Sequence, residues 1–303
     1  MNKFLIIIGL TLLLIINSYA VEEKMQKEPI SSVTVKNLYL DLMKRCLTNW
    51  IYGSSDKIVV HGGNNILKRM MVKSLNYAGF QIVRPAPMMD KDKWSKGWQS
   101  SSLAHTMISL KRLDNIQFCI ENVLANKIPG DLIECGAWRG GATIFMRAVL
   151  KAHEIKNRVV YVADSFEGLP RPDLAKYPQD KGMDFYKDDY FAVSLEEVKD
   201  NFDRYNLLDE QVYFLKGWFK DTLPKAPIKK LAVLRVDADL YESTMDSLVN
   251  LYPKLSVGGY IIVDDFNYFA ACKNAVLDYR KANGITDEII KIDYTGIYWL
   301  KSK

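Results

Sequence analysis

Four aspartates stand where two apolar runs end. LAVLRVDAD (231–239) delivers Asp237 and Asp239, and GYIIVDD (259–265) delivers Asp264 and Asp265. Runs this apolar and β-branched read as buried strands, so the acids lie at strand ends within the core of the protein. Two carboxylates ~4 Å apart repel by about 4 kcal/mol at an effective dielectric of roughly 20, so such a cluster needs a cation or shared protons. Hard oxygen ligands suit magnesium, and no Cys/His spacing suggests zinc. Capping of a following helix accounts for any one of these acids alone. Two pairs ending successive strands point instead to a bound divalent ion.

A second group lies upstream. IECGAWRGG (133–141) joins an apolar run to a helix-forming one, and Gly136 allows a tight turn there. Gly140 would let a ligand approach the helix N-terminus closely. The spacing is not G-x-G-x-x-G and no Lys-Ser/Thr follows, which argues against a phosphate cradle. Glu134 suits a cationic ligand, and S-adenosylmethionine carries both an ammonium and a sulfonium. Asp164 ends the next apolar run, RVVYVAD, where nucleotide-binding α/β folds place an acid for the ribose hydroxyls. A plain turn or a helix cap explains any single member of this set. Glu134, Gly136, Gly140 and Asp164 together imply an adenosine-bearing cofactor without phosphates.

The elements that must position these residues follow from pattern. From Gly130 onward, strands alternate with helices: strands near 131–136, 158–165, 211–217, 231–237 and 258–265, helices near 141–154, 194–205, 243–255 and 272–284. That alternation predicts a doubly wound α/β fold, a parallel sheet covered on both faces. Ligands in such sheets bind beyond the carboxyl ends of the strands, where every acid named above lies. EIIKIDYTGIYWL (288–300) reads as a closing hairpin turning at Thr295 and Gly296. Ahead of the 130–303 domain, residues 36–129 read as an N-terminal helical cap with a substrate-side loop. Within it we expect a helix over 36–53, a loop at HGGNN (61–65), a surface loop or flap over 84–102, and one or two helices over 102–126. The polar insertion 167–190 is either a lid or a variable loop.

Composition narrows the classes. With 303 residues, 49% of them apolar and 25% charged, the chain has ample material for a core. A net charge of +5 without an arginine-rich arm gives no sign of a nucleic-acid partner. Cys46, Cys119, Cys135 and Cys272 are widely spaced and read as buried free thiols. His61, His105 and His153 are isolated and read as structural, with His105 the one to watch. Trp94 and Trp98 read as loop anchors on the core ahead of stacking platforms for an acceptor ring. Residues 1–20 are laid out as a signal peptide or a hydrophobic anchor: Lys3, an apolar stretch over 4–16, then Ser18-Tyr19-Ala20. The stretch falls short of the ~20 residues that span a bilayer, which favours cleavage over anchoring, though it leaves membrane contact open. Residues 21–35 read as a linker.

ECGAWRGGATIFMRAVLKA, VADSFEGLP, SLEEVKDNF, GWFKDTLP, DADLYESTMDSL and GGYIIVDDF, in that order, resemble the macrocin O-methyltransferase family over about 39–299. The resemblance implies a Rossmann-like class I methyltransferase sheet with a C-terminal antiparallel hairpin. It also implies methylation of a sugar hydroxyl on a glycosylated small molecule, using S-adenosylmethionine and Mg2+, as members do on macrolide and aminocoumarin antibiotics. Carried over by position, Asp237, Asp264 and Asp265 fall on the magnesium ligands, and Asp239 falls on the proposed general base. Glu134, Gly136, Asp164 and Ser165 fall on cofactor positions, and Ala137 and Gly140 of the same loop are counted with them. Gly217, Trp218 and Phe219 lie where the adenine pocket is expected, and Thr106 and Met107 where the methionine end is covered. Catechol methyltransferases are similar more distantly, but Leu240 stands where they carry a lysine base. A catechol-type enzyme is therefore one alternative. The other is a non-catalytic, exported or tethered module that binds the cofactor. The signal-like segment points to export, whereas the cytosolic origin of S-adenosylmethionine points to a cytoplasmic catalytic domain. Family members often associate, which leaves a homo-oligomer open.

Overall fold

Strands that are apolar on both faces can only be buried on both faces, and the central strands here obey that rule. Every residue of β6 (Leu231–Val236) is buried, and all but the first residue of β3 (Asp131–Cys135). The computed structural model describes residues 32–53, 57–59, 66–85, 90–95 and 101–303. The hydrophobic segment 1–20, most of the linker, the HGGNN loop with His61, and Trp98 lie outside the described residues. Among those described, no helix is long and apolar enough to cross a membrane.

The chain divides into two units, one ending at Tyr39 and one running from Leu40 to Lys303. The described part of the first is the opening of helix α1 (Ser32–Leu47). In the second, β3, β4 (Val160–Asp164), β5 (Val212–Lys216), β6, β7 (Leu255–Val263), β8 (Ile290–Lys291) and β9 (Ile297–Leu300) form a seven-stranded sheet in the order β5-β4-β3-β6-β7-β9-β8. The first five strands in that order run parallel, and β9 lies antiparallel to both β7 and β8. Strand order reverses between β3 and β6, and a crevice for ligands opens at such a reversal. The ladder continues one residue past the strand ends. Gly136 N–H donates to Ala163 O, Asp237 N–H to Cys135 O, Asp264 N–H to Val236 O, and Gly217 N–H to Asp164 O, all at 2.9–3.0 Å. The residues singled out by their chemistry are thereby lined up along one rim.

Helices α5 (Gly141–Ala152), α6 (Leu195–Arg204), α8 (Tyr241–Leu251) and α9 (Ala270–Ala282) connect the strands; a short α7 (Phe219–Thr222) follows β5. The core packs Ile133, Leu234, Val236, Ile261, Val263 and Trp299 together. Expected and observed structure differ mainly before β3. Helix α1 stops at Leu47, short of Gly53. The 84–102 stretch begins in β2 (Val83–Pro85), which pairs with β1 (Lys57–Val59) across helix α2 (Ile66–Tyr77). It also contains helix α3 (Lys91–Ser95), whose Trp94 is buried with its ring 4.9 Å from that of Trp50. Residues 101–109 form an irregular strap, because Ser109 caps helix α4 (Leu110–Ala125) by accepting from Arg112 N–H. All four cysteines are free. His153 pairs with Glu121 at 3.0 Å.

Candidate active site

The four strand-end aspartates meet, but they divide by partner. Arg235, buried to 1% exposure within β6, reaches Glu134, Asp237 and Asp264. Arg112, from α4, reaches Asp264, Asp293 and the Thr295 hydroxyl. Both oxygens of Asp264 therefore face guanidinium groups. The acids whose oxygens lie within 4.8 Å of one another are Asp237, Asp239 and Asp265. The resemblance put Asp264 among the metal ligands and Asp239 outside them; the geometry gathers Asp239 and turns Asp264 toward the arginines. The physical reason lies in Arg235. A guanidinium buried in a sheet needs carboxylates around it, and Asp264 is within its reach.

Burial and the charge of Asp237 push Asp239 up to about 7. Burial, then the charges of Asp239, Asp237 and Asp264, push Asp265 well above the carboxylate range. Asp265 Oδ2 is buried and has no hydrogen-bond partner. Oxygen-only donors with an orphaned buried carboxylate oxygen fit a hard divalent cation. Asp239 itself sits in a left-handed conformation (φ 54°), a strained placement for a non-glycine residue beside a site.

The glycine loop is built differently from its sequence reading. A Cβ on Gly136 would collide with the carbonyl of Asp237, so this glycine lets β3 and β6 converge. A Cβ on Gly140 would lie 2.9 Å from Val198 Cγ1, so Gly140 makes room for helix α6, not for a ligand. Gly141 is pressed against the His105 carbonyl, which accepts its N–H. That contact seats the strap. His105 is further held by Tyr205, 2.8 Å from Nδ1, and burial lowers its pKa to about 4. Glu134 gives its oxygens to Arg235 and to the Thr143 hydroxyl, and burial pushes it up to about 7. It backs the site and is not available to a cationic ligand. Asp164 accepts from Ala137 N–H at 2.7 Å, Trp138 N–H at 3.3 Å and Phe166 N–H at 2.7 Å. Its carboxylate thus organises the glycine loop while lining the cavity.

That cavity, about 690 Å³, opens along the rim. Thr106, Met107, Gly136, Asp164, Ser165, Gly217, Trp218 and Phe219 line it, as do Asp237, Asp239, Asp264 and Asp265; Glu134, Ala137 and Gly140 do not. Its volume is within the roughly 300–1,000 Å³ of small-molecule sites. Sequence reasoning missed Arg235 and Arg112, and also the aromatic wall of Phe185, Phe191, Tyr268, Phe269 and Tyr294. Arg235 left a signal, a lone cation inside an apolar strand. The wall left none, since its members come from three separate loops.

The macrocin-O-methyltransferase (TylF) family profile matches residues 36–301. The chain belongs to this family. It is 49% identical over 265 residues to an 8-demethyl-8-(2,3-dimethoxy-alpha-L-rhamnosyl)-tetracenomycin-C 4'-O-methyltransferase of Streptomyces olivaceus, covering 87% of this chain and 92% of that one. With the mycinamicin III 3''-O-methyltransferase of Micromonospora griseorubida it shares 43% over 276 residues, covering 90% and 100%. With the demethyldecarbamoylnovobiocin O-methyltransferase of Streptomyces niveus it shares 57% over 201 residues, covering 66% and 77%. Among solved structures, the O-methyltransferase NovP superposes with a TM-score of 0.76 at 46% identity, covering 88% of this chain and all of that one. This macrocin-O-methyltransferase family member is accordingly an S-adenosylmethionine-dependent O-methyltransferase with the class I sheet.

Proposed function

We propose that this chain methylates a hydroxyl of a sugar carried by a glycosylated small molecule, and that it does so beside a magnesium ion. The observation that carries the reading is the Asp237, Asp239 and Asp265 group, with its orphaned Asp265 oxygen, opening into the cavity that the cofactor positions line. Asp237 and Asp265 would hold the cation, and Arg235 and Arg112 fix Asp264 behind them. Magnesium supplies positive charge that makes a nearby alcohol more acidic, and S-adenosylmethionine supplies the methyl group. The chain's own part is then positional and basic. Thr106, Met107, Gly136, Asp164, Ser165 and Gly217–Phe219 hold the donor against the rim. Asp239 takes the proton of the acceptor hydroxyl through a carboxylate poised near neutrality, where a general base works best. The cavity wall excludes water and aligns the two reactants, which supplies most of the remaining acceleration.

Radiolabelled methyl transfer tests this, with demethyldecarbamoylnovobiocin and mycinamicin III as acceptors and with free catechols as controls. Transfer to a sugar-bearing compound, lost on chelation and restored by Mg2+, is the expected result. Transfer to catechols alone, or transfer indifferent to chelation, would overturn it. Asp239→Asn is expected to keep Mg2+ binding by calorimetry and to lose turnover. An equal loss of Mg2+ affinity would make Asp239 a third ligand.

A further inference from the structure

Helix α8 starts immediately after the Asp237–Asp239 turn, and its first turn has no cap of its own. Leu240 occupies the N-cap position and contributes no side-chain hydrogen bond. The cap comes from far away in sequence. Asp180, fully buried, accepts Tyr241 N–H at 2.6 Å on one oxygen and Glu242 N–H at 3.2 Å on the other. Two of the four orphan N–H groups of the helix are satisfied in this way, and the negative charge sits at the favourable end of the helix dipole.

Asp180 belongs to the insertion that follows β4, and that segment is anchored at further points. Tyr177 and Met183 pack on the small cluster of Tyr241, Ala271 and Ala275 between α8 and α9. The Phe185 ring lies 5.3 Å from that of Phe269, just beyond β7. The Trp138 indole N–H of the glycine loop donates to Tyr190 O at 3.0 Å. The insertion is thus tied to the loops after β3, β6 and β7, each of which carries site residues. Its inner side, with Leu169, Pro170, Arg171, Phe185 and Phe191, faces the cavity.

We propose that Asp180 is a positioning residue: by capping α8 from the insertion, it seats that segment as a fixed wall of the acceptor half of the cavity. The wall is part of the resting fold and needs no closure on each turnover. This rests on the methyltransferase reading above, because only that reading gives the cavity an acceptor half. The mechanism is local. An uncapped α8 loses the link to the insertion, the segment lifts, and the aromatic and Arg171 surface that orients the acceptor is lost. The donor half keeps the Asp164 contacts that shape the glycine loop. It meets the insertion near the segment's two ends, through Ser165 with Gly168 and Trp138 with Tyr190, away from Asp180.

The test compares the full-length chain with Asp180→Ala and Asp180→Asn, an asparagine keeping one acceptor oxygen for Tyr241 N–H and giving up the one that faces Glu242 N–H. Limited trypsin digestion reads the seat at the exposed Lys176, Lys181 and Lys187. Cleavage there is expected to run about ten-fold faster in the alanine variant, the local opening that one lost cap allows, and at a rate between wild type and alanine in the asparagine variant. Affinity for S-adenosylhomocysteine, by calorimetry, should stay within about two-fold in all three. With demethyldecarbamoylnovobiocin or mycinamicin III as acceptor, KM should rise about ten-fold in the alanine variant while kcat moves less than about three-fold, the pattern of lost ground-state binding. Equal digestion rates overturn the seat. Faster digestion with an unchanged KM overturns the acceptor role. A general loss of melting temperature and of S-adenosylhomocysteine binding, unrescued by asparagine, would make Asp180 a plain stabiliser. A wild-type chain that methylates neither compound sinks the acceptor role with the reading it rests on, and the digestion rates alone then decide the seat.

Discussion

At the end of β4, the half-buried Asp164 sits among backbone donors, accepting from Ala137, Trp138 and Phe166 N–H groups. At the ends of β6 and β7, Asp237 and Asp264 are met by guanidinium groups, from Arg235 for both and from Arg112 for Asp264. The two halves of one cavity thus settle the same problem, a carboxylate taken out of water, by different means. Backbone N–H groups stabilise an acid without adding a charge, and they hold a loop in shape as they do so. Arginines neutralise whole groups of acids and leave their neighbours Asp239 and Asp265 with no ion pair among the described residues, Arg112 acting on Asp265 only from a distance. The half around Asp164 is therefore complete as it stands, whereas the half around Asp237, Asp239 and Asp265 is built around a deficit of positive charge. The left-handed backbone at Trp138, Phe166 and Asp239 occurs at the strand ends of both halves, so strain does not distinguish them.

Removing a guanidinium should do the most damage. Arg235→Met strands Glu134 in the core and takes one guanidinium from Asp237 and one of two from Asp264, and breaking a buried ion pair from one side costs about 3–5 kcal/mol. Urea unfolding should show that loss, and adding Glu134→Gln should recover part of it. A variant as stable as the parent would mean that these acids bind protons as readily as they bind Arg235, and the contrast between the halves would fail. Asp264→Asn comes next. It leaves Arg112 and Arg235 each short of a charged acceptor, at about 2–3 kcal/mol by the same measurement. If Asp264→Asn instead abolished Mg2+ binding while leaving stability intact, Asp264 would be a ligand and the pairing with arginine secondary.

The charge deficit also has a pH signature. Burial and the crowding of like charges push Asp239 up to about 7 and raise Asp265 as well, so lowering the pH loads the group with protons. A metal must then displace what is bound. Apparent Mg2+ affinity should fall as the pH drops, by about ten-fold per unit for each proton displaced. Calorimetry at pH 8, 7 and 6 measures it. A flat profile would place the cation elsewhere.

Much of this was legible in the sequence, and what was not has physical causes. The strand positions, the parallel sheet and the closing hairpin follow from apolar runs, which only burial explains. That the acids stand at a common rim follows from strand ends in such a sheet. Which acid faces arginine and which does not could not be read, because Asp264 meets Arg112 across 152 positions of chain. Gly140 and Gly141 were visible as glycines, but their reasons, a helix against one and a strap against the other, are tertiary contacts that spacing does not encode. Glu134 misled for a similar cause. A buried acid at a strand end looks the same in sequence whether it faces a ligand or backs onto Arg235. Asp180 looked like one polar residue among many in a variable insertion.

The smallest expected effect falls in the donor half. Asp164→Asn keeps one side-chain oxygen for Ala137 and Trp138 N–H, and it loses the acceptor facing Phe166 N–H. No buried cation is left unpaired, so the cost is that of one neutral hydrogen bond, about 1 kcal/mol. Unfolding in urea should place it well below Asp264→Asn, and S-adenosylhomocysteine affinity should report whether the loop has kept its shape. If Asp164→Asn proved as costly as Asp264→Asn, then the negative charge itself, and not its geometry, would be what the backbone donors require. The two halves of the cavity would then differ in their partners and agree in their physics.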